Sequence, residues 1–518
     1  MLNRRSVLGA AALTGGTLAI GGFAARGFFS GGQTTFAQGA AKSSLQIPQL
    51  YAGKREGGVR IFDLNLQHGT SQFFEGVDTP TIGINQSYLG PTLEMHAGDT
   101  VRMNVSSDLS ETATVHWHGL HLPARADGGP HQPITPGSTW SSSFEVRQRA
   151  SMFWYHSHAH QRSGPQVYHG LAGAIYVRDA DSERLDLPND YGVDDIPLIV
   201  QDRVFNRDGS FAYSTSMPNL MMGMTGDTLL VNGTVDPVFD ARSDLLRLRV
   251  LNGSNARFYR FAFEDGRSFD QIASDGGLLE QPFRTDHVVL APGERAQIVI
   301  DVSDGTPVAL LADSFETMGM MGGGMGNRRT RGPGDQTGGG AMDERGRFTV
   351  LIIRPSAQRR QAITMPSRLI SLPRIDPTDA VRTRRFVLNM GMGMGMGMGM
   401  GMMRGGGFTI NGKSMDMQRI DETVKVGTTE IWQVENASMM AHPFHIHDVQ
   451  FRILDRDGRP PGPAEQGLKD TVVVAPGEVV RLLLRFEDYT DADLPYMFHC
   501  HILEHEDAGM MGQFLVTR

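Results

Sequence analysis

The chain has a single cysteine, Cys500, among its 518 residues, so an internal disulfide is excluded. Amphipathic helical patterns of useful length are also missing. In their place, 63 glycines and 26 prolines interrupt many short apolar runs, a composition typical of an all-β protein. The net charge of −9 argues against a nucleic-acid-binding surface. A chain of this length is too long for one hydrophobic core, and we expect about three domains.

The N-terminal segment has the pattern of an export signal. Asn3-Arg4-Arg5-Ser6-Val7-Leu8 is a twin-arginine motif, and a mildly apolar run extends from Ser6 to Ala25. That run is rich in glycine and poor in leucine, isoleucine and valine, which disfavours the alternative of a membrane-spanning anchor. We predict a twin-arginine signal peptide over residues 1–40, with cleavage near Ala37 to Ala40. The mature protein is then expected in the periplasm, without stable membrane association.

Ten of the 17 histidines fall in four short motifs. The motifs are His116-Trp117-His118, His156-Ser157-His158, His442-Pro443-Phe444-His445-Ile446-His447 and the twelve residues from His499 to Met510. Two histidines separated by one residue on a strand project to the same face, which suits neighbouring metal ions. In the last motif, a thiolate, an imidazole and a weak thioether supply most of a blue-copper site. Together the motifs predict a copper protein.

The motifs HWHG, HSH, HPFHIH and HCHILEHEDAGM resemble, in this order, the four copper motifs of the multicopper oxidases. The resemblance runs from about residue 50 to residue 518 and is closest to bacterial periplasmic cuprous oxidases, the copper efflux oxidases, and to bacterial laccases. It implies an all-β fold of three cupredoxin-like Greek-key β-sandwich domains. We place these domains at residues 45–180, 195–355 and 376–518. The middle domain has no ligand motif and is expected to be structural.

The resemblance also implies four copper ions with assigned ligands. The type 1 copper is expected at His442, Cys500, His505 and the axial Met510, and the type 2 copper at His116 and His445. One type 3 copper is expected at His118, His156 and His501, and the other at His158, His447 and His499. Asp127 and Glu506 match the family's acids beside the three-copper cluster, which implies a proton relay. The alternative for both is an ordinary loop or strand-end carboxylate.

The activity that the resemblance implies is oxidation of a donor coupled to reduction of dioxygen. The donor gives single electrons to the type 1 copper, and Cys500 passes them to His499 and His501. Four such transfers reduce dioxygen to two waters. The expected partners are therefore dioxygen and either Cu(I) or a phenolic donor, and the protein is expected to be a monomer.

Methionine is unusually abundant, with 29 residues. A Met–Gly alternation runs from Met390 to Met403, and two further clusters span Met217 to Met224 and Met318 to Met325. Thioether sulfur is a soft ligand that selects Cu(I). The alternative is a low-complexity linker without a ligand role. We expect a Cu(I)-capturing insert at 390–403, with Met390 and Met440 as candidate ligands of a substrate Cu(I).

Two departures from the cuprous oxidases concern this donor site. Ser438 stands where those relatives have an aspartate, and the Met–Gly run lacks the aspartate and histidine of their inserts. A substrate site here would thus use more thioether and less carboxylate.

Three functions remain open from the sequence. The first is a cuprous oxidase serving copper tolerance, and the second is a laccase that oxidises phenols or aromatic amines. The third is a non-catalytic copper-binding or storage protein, or a structural relative of the oxidases in cell division. Those structural relatives lack the copper ligands, whereas all ten histidines, the cysteine and the methionine are present here.

Overall fold

A computed structural model describes residues 43–314, 346–361, 363–391 and 407–518. The predicted signal peptide, the Met318–Met325 cluster and most of the Met–Gly run, from residue 392 to 403, lie outside these ranges. The described chain is built almost entirely from β-strands, arranged in six sheets that pack in three pairs.

Eleven strands lie in the N-terminal third. They are β1 (Ser43–Ser44), β2 (Leu50–Tyr51), β3 (Lys54–Glu56), β4 (Val59–Phe74), β5 (Val77–Ile84), β6 (Thr92–His96), β7 (Thr100–Ser107), β8 (His116–His118), β9 (Thr139–Glu145), β10 (Ser151–His156) and β11 (Ala172–Arg178). Strands β3, β4, β5, β7 and β9 form one sheet, and β2, β6, β11, β10 and β8 form the other. Both sheets contribute to one buried core, which defines the first sandwich.

The middle third contributes a second pair of sheets. Its strands are β12 (Asp195–Arg203), β13 (Thr228–Val231), β14 (Pro237–Ser243), β15 (Leu245–Asn252), β16 (Tyr259–Phe263), β17 (Phe269–Ser274), β18 (Gly277–Thr285), β19 (His287–Leu290), β20 (Arg295–Asp301), β21 (Val308–Ser314) and β22 (Arg347–Arg360). One sheet has the order β1-β14-β22-β21-β16-β19 and the other β13-β12-β15-β20-β17-β18. The N-terminal strand β1 therefore joins the middle sandwich, and Leu45 lies in its core.

The last third forms the third sandwich. Its strands are β23 (Ala380–Met390), β24 (Phe408–Ile410), β25 (Glu422–Lys425), β26 (Thr429–Asn436), β27 (His442–Ile446), β28 (Phe451–Arg456), β29 (Thr471–Val474), β30 (Val479–Arg485), β31 (Tyr496–Cys500) and β32 (Met511–Thr517). The sheet orders are β24-β23-β26-β30-β28 and β25-β32-β31-β27-β29. The prediction of an all-β fold of cupredoxin-like sandwiches is confirmed, while the exact domain boundaries stay predictions.

In the described ranges, four short α-helices lie between the strands. They are α1 (Ser163–His169), α2 (Ala180–Glu183), α3 (Met217–Met222) and α4 (Leu503–Asp507), with 3-10 turns at Ala124–Ala126, Pro377–Asp379 and Pro463–Glu465. Within the described ranges, none of the helices combines the length and the apolar character needed to cross a membrane.

Strands that have one face in water alternate between apolar and polar residues. In β7, Val101, Met103 and Val105 are buried while Thr100 and Arg102 are exposed, the period-two pattern of a half-buried strand.

Strand β15 alternates in sequence but is buried on both faces. Its two arginines are buried because each has a polar partner: Arg247 donates to Gln297, and Arg249 forms a two-pronged pair with Asp195 at 2.6 Å. A buried charge is tolerated when it is paired in this way.

Candidate metal centre

Four strands from the first and third sandwiches carry the histidine motifs to one place. In the first sandwich, β8 pairs with β10 so that His116 lies opposite His156. In the third, β27 pairs with β31 so that His445 lies opposite His499. All ten motif histidines are buried, each with at most 1% of its surface exposed.

The motif histidines converge in groups of three whose candidate ligand atoms lie within 4.8 Å of one another. The groups are His118, His156 and His501; His158, His447 and His499; and His116, His118 and His445. The first two match the expected type 3 sets, and the third contains the expected type 2 pair. Nε2 of His499 lies 3.2 Å from Nε2 of His158 and 3.3 Å from Nε2 of His447.

Several of the rings are oriented by a backbone carbonyl that accepts from the outer nitrogen. Nδ1–H of His116 donates to the Asp127 carbonyl at 2.9 Å, and Nδ1–H of His156 donates to the Ser157 carbonyl at 2.8 Å. The Nε2 atoms of His116, His156 and His445 then face inward, buried and without a hydrogen-bond partner among the described residues. A buried polar atom left unpaired costs about 1–3 kcal/mol. A bound metal ion removes that cost, and carbonyl-oriented histidines are typical of metal sites.

The electrostatics of the cluster also suit a cation. Burial, together with the neighbouring histidines, holds the pKa of His118, His445 and His447 well below the ordinary value of 6.5. Burial lowers the pKa of His499 to about 3. These rings are therefore neutral at neutral pH, and their lone pairs are free to bind metal.

A second, separate group contains the lone cysteine. Sγ of Cys500 lies 3.4 Å from Nδ1 of His442 and 3.6 Å from Nδ1 of His505. Met510 is fully buried in the same core, and its carbonyl accepts the Cys500 N–H at 3.0 Å. Burial raises the pKa of the Cys500 thiol, so the thiolate requires a cation beside it. A thiolate with two imidazoles and a nearby thioether is the donor set of a blue-copper site.

His442 and His505, the two histidines grouped with Cys500, are held by different partners. Nε2 of His442 lies 2.7 Å from the hydroxyl oxygen of Ser438, the residue that replaces the relatives' aspartate. Nε2–H of His505 donates to the carbonyl of Met221 in α3 at 3.2 Å. The sequence contained no signal for this contact, because α3 belongs to the middle third of the chain.

The two predicted relay acids both contact motif histidines. Oδ2 of Asp127 accepts from Nδ1 of His447 at 2.8 Å. The oxygens of Glu506 lie 3.2 Å from Nδ1 of His158 and 3.3 Å from Nδ1 of His499, and Ser163 donates its hydroxyl to Glu506. Burial, with the nearby charge of Asp507, raises the pKa of Glu506 well above its ordinary 4.5. Its surroundings thus favour the protonated form of the carboxyl group.

Helix α4, which carries His505 and Glu506, is tied to all three sandwiches. Glu504 accepts hydrogen bonds from Nδ2 of Asn255 at 2.8 Å and from the Tyr213 hydroxyl at 3.1 Å. Asp507 accepts from the backbone N–H groups of Ser163 at 2.9 Å and Gly164 at 2.8 Å. These acids join the third sandwich to the middle and first parts of the chain.

The candidate substrate ligands lie beside the Cys500 group but differ in exposure. Met440 is buried in the core that includes Cys500, and Met390, at the end of β23, packs partly buried against that core. Among the described methionines, those that are exposed are instead Met439, at 58%, and Met217 and Met222 of α3, at 56% and 44%.

Comparison with known proteins is consistent with this geometry. Family models described as "Multicopper oxidase" match residues 65–182 and 392–518. The multicopper oxidase mco of Staphylococcus aureus is 35% identical over 483 residues, covering 92% of this chain and 93% of its own. The chain therefore belongs to the multicopper oxidase family, enzymes that use copper, dioxygen and a reducing substrate.

Two further relatives show how far this family diverges in role. The cell division protein FtsP of Edwardsiella tarda is 36% identical, covering 92% of this chain and 93% of its own. The solved structure of a laccase-like multicopper oxidase CueO from Ochrobactrum sp. is 33% identical, with a TM-score of 0.77 and coverage of 91% and 100%. That protein has oxidase activity towards lignin model compounds and lignosulfonate. The chain is an oxidoreductase, and its donor has to be inferred from its own residues.

Proposed function

We propose that this protein holds four copper ions and couples the oxidation of Cu(I) to the reduction of dioxygen to water, in copper tolerance. The observation that carries the proposal is the convergence of ten buried histidines and one cysteine into a mononuclear and a polynuclear group. A storage role would not require three histidine triplets, two of which share His118.

The residues would divide the copper ions as the sequence predicts. His442, Cys500, His505 and Met510 would hold the type 1 copper, and the eight remaining motif histidines would hold the type 2 and type 3 coppers. Copper bound there supplies one-electron chemistry at the first group and four-electron reduction of dioxygen at the second. Cys500 links the groups covalently, because its neighbours His499 and His501 belong to different triplets.

Asp127 and Glu506 would hold and release the protons that water formation consumes. Both carboxylates contact motif histidines without needing to be ligands themselves. Burial raises the pKa of Glu506 and so favours its protonated form, which is the state a proton donor requires.

The methionines beside the Cys500 group favour Cu(I) as the donor. Helix α3 contacts His505 through the Met221 carbonyl, and Met217 and Met222 of the same helix expose their thioethers. Met439, next to Ser438, exposes another. Soft sulfur at the approach to the Cys500 group favours Cu(I) over phenols.

Two alternatives follow from the relatives. A laccase activity on phenolic donors is favoured by the likeness to the Ochrobactrum enzyme. A role in cell division is suggested by the likeness to FtsP. It would not need the inward-facing, unpaired Nε2 atoms of His116, His156 and His445.

Oxygen consumption by the copper-loaded full chain tests the donor. Cu(I) in a copper-buffering chelator and a phenolic donor are compared, with and without added Cu(II). The double variant Met217→Leu with Met222→Leu keeps the apolar bulk and removes two sulfurs. Met365→Leu is the matched control, since Met365 packs against a different cluster. We expect Cu(I)-driven uptake to fall in the double variant only.

Fast phenol turnover with poor Cu(I) turnover in the wild type would establish a laccase instead. A copper-loaded chain that consumes no oxygen with either donor would favour a non-catalytic role.

The periplasmic destination is a separate part of the proposal. Its support is the twin-arginine motif, Arg4-Arg5. Replacing both arginines by lysine is expected to retain the protein in the cytoplasm, as cell fractionation would measure.

A further inference from the structure

Asp470, just before β29, contacts two motif histidines at once. Its Oδ1 accepts from Nε2–H of His118 at 2.9 Å, and its backbone carbonyl accepts from Nδ1–H of His445 at 2.8 Å. The two rings stack with 3.7 Å between their centroids. One residue therefore sets the orientation of a proposed type 3 ligand and a proposed type 2 ligand.

Asp470 is in turn held by Arg295, the first residue of β20 in the middle sandwich. Nη1 and Nη2 of Arg295 donate to the two carboxylate oxygens of Asp470, both at 2.7 Å. The guanidinium also donates to the carbonyls of Met152 at 3.2 Å, Gly293 at 3.1 Å and Asp275 at 2.9 Å. Its position is thus set by all three sandwiches, and it is only 2% exposed.

The side chains of Asp470 and Arg295 pack closely against the backbone at Gly119. A Cβ on Gly119 would lie 2.5 Å from Oδ2 of Asp470 and 3.1 Å from Nη2 of Arg295. The turn that leads into Arg295 also touches the cluster: a Cβ on Gly293 would lie 2.9 Å from the His501 ring. The middle sandwich therefore forms part of the wall of the histidine cluster although its own residues complete none of the triplets.

We propose that Arg295 is a positioning residue for the polynuclear copper site, acting through Asp470 on His118 and His445. This inference rests on the proposed copper site. The guanidinium has a fixed fork that matches a carboxylate, so it sets the angle of Asp470 as well as neutralising its charge. Loss of the fork lets both rings turn, which changes the type 2 and type 3 sites and leaves the Cys500 group unchanged.

The test is Arg295→Lys in the copper-loaded full chain, which keeps the charge and removes the fork. The matched control is Arg249→Lys, because Arg249 makes an equally buried two-pronged pair with Asp195, a pair that includes no motif histidine. Readouts are the electron paramagnetic resonance spectrum of the type 2 copper, the blue absorption of the type 1 copper, copper content and thermal stability. Asp470→Asn is a second variant that removes the charge and keeps the size.

The expected result is an altered type 2 spectrum and a tenfold to hundredfold loss of copper affinity at the polynuclear site in R295K. The blue absorption persists, and D470N changes the same signals. R249K loses stability to a similar degree with normal copper spectra. Identical type 2 spectra in R295K, R249K and wild type would overturn the inference while leaving the proposed function intact. A wild-type chain that binds no copper would overturn the proposed function, and this inference with it.

Discussion

His118 and His445 stack ring on ring, with 3.7 Å between centroids and 10° between planes, although one comes from the first sandwich and the other from the third. The stacking places the inward-facing nitrogens of two domains side by side. The histidine cluster therefore depends on the interface between the two sandwiches. Four predictions about the metal site and its surroundings can be measured.

Cys500→Ser is expected to abolish the blue absorption and the oxidase activity, because serine cannot supply the thiolate. The type 2 resonance should persist, since Cys500 belongs to none of the histidine triplets. Optical and paramagnetic resonance spectra of the copper-loaded variant measure both effects. Simultaneous loss of the type 2 resonance would show that the two groups do not bind metal independently.

Glu506→Gln is expected to keep the blue colour and slow oxygen reduction by about 10²–10⁴-fold, the usual contribution of a positioned proton donor. Glutamine can replace the carboxylate as an acceptor for Ser163 but cannot release a proton. Steady-state oxygen uptake across the pH range is the measurement. Unchanged turnover at every pH would contradict the relay role.

Ser438→Asp is expected to lower the reduction potential of the blue copper. The new carboxylate would lie beside Nε2 of His442, where the serine hydroxyl is 2.7 Å away, and would stabilise the oxidised ion. Two unit charges about 4 Å apart interact by on the order of 1–4 kcal/mol between the water-like and protein-like limits. The shift is expected at the lower end of that range, because the copper would bind Nδ1 of His442, on the far side of the ring from the carboxylate. Redox titration of the blue band measures the shift, and Ser438→Ala is the uncharged control. A potential in S438D equal to that of S438A would argue against a charge effect.

His121→Gln is expected to destabilise the protein most at acidic pH. The ring lies between the carboxylates of Asp448, at 2.8 Å, and Asp488, at 2.9 Å, and so joins the first and third sandwiches. Burial lowers the pKa of His121, but the charge of Asp448 outweighs it and the net pKa is raised above 6.5. The stabilisation is therefore complete below about pH 6.5 and is lost as the pH rises through the folded-state pKa.

The stability that His121 contributes is measured by thermal unfolding of the wild type and H121Q between pH 5.5 and 9. Hydrogen bonds to charged groups contribute about 1.5–3 kcal/mol, which sets the expected difference at the acidic end. His287→Gln serves as the control variant, because the half-buried His287 pairs, among the described residues, only with the neighbouring exposed carboxylate of Asp286, at 2.6 Å. A difference that grows with pH would contradict the assignment.

The histidine triplets could be anticipated because the ligand motifs are local in sequence and the strand period places alternate side chains on one face. The resemblance to the family supplied the grouping across domains. Asp470 and Arg295 could not be anticipated, because their pairing depends on how the middle and third sandwiches dock. The contact between Met221 and His505 is non-local in the same way.

Strand β15 shows where alternation alone gives too little information. Its sequence alternates leucine with arginine, the pattern of a half-exposed strand, yet Arg247 and Arg249 are buried. The two arginines can be buried because other strands supply their partners, Gln297 and Asp195. Burial of a charged face depends on tertiary pairing and cannot be derived from periodicity.

The stacking of His118 on His445 also constrains when metal can enter. The ribosome releases the first sandwich before β27 and β31 have been synthesised, so a nascent chain presents only some of the histidines of each shared triplet. Metal insertion into the polynuclear centre must follow completion of synthesis and docking of the last sandwich. Copper in the polynuclear centre then requires docked terminal sandwiches, whereas the Cys500 group lies within the third sandwich alone.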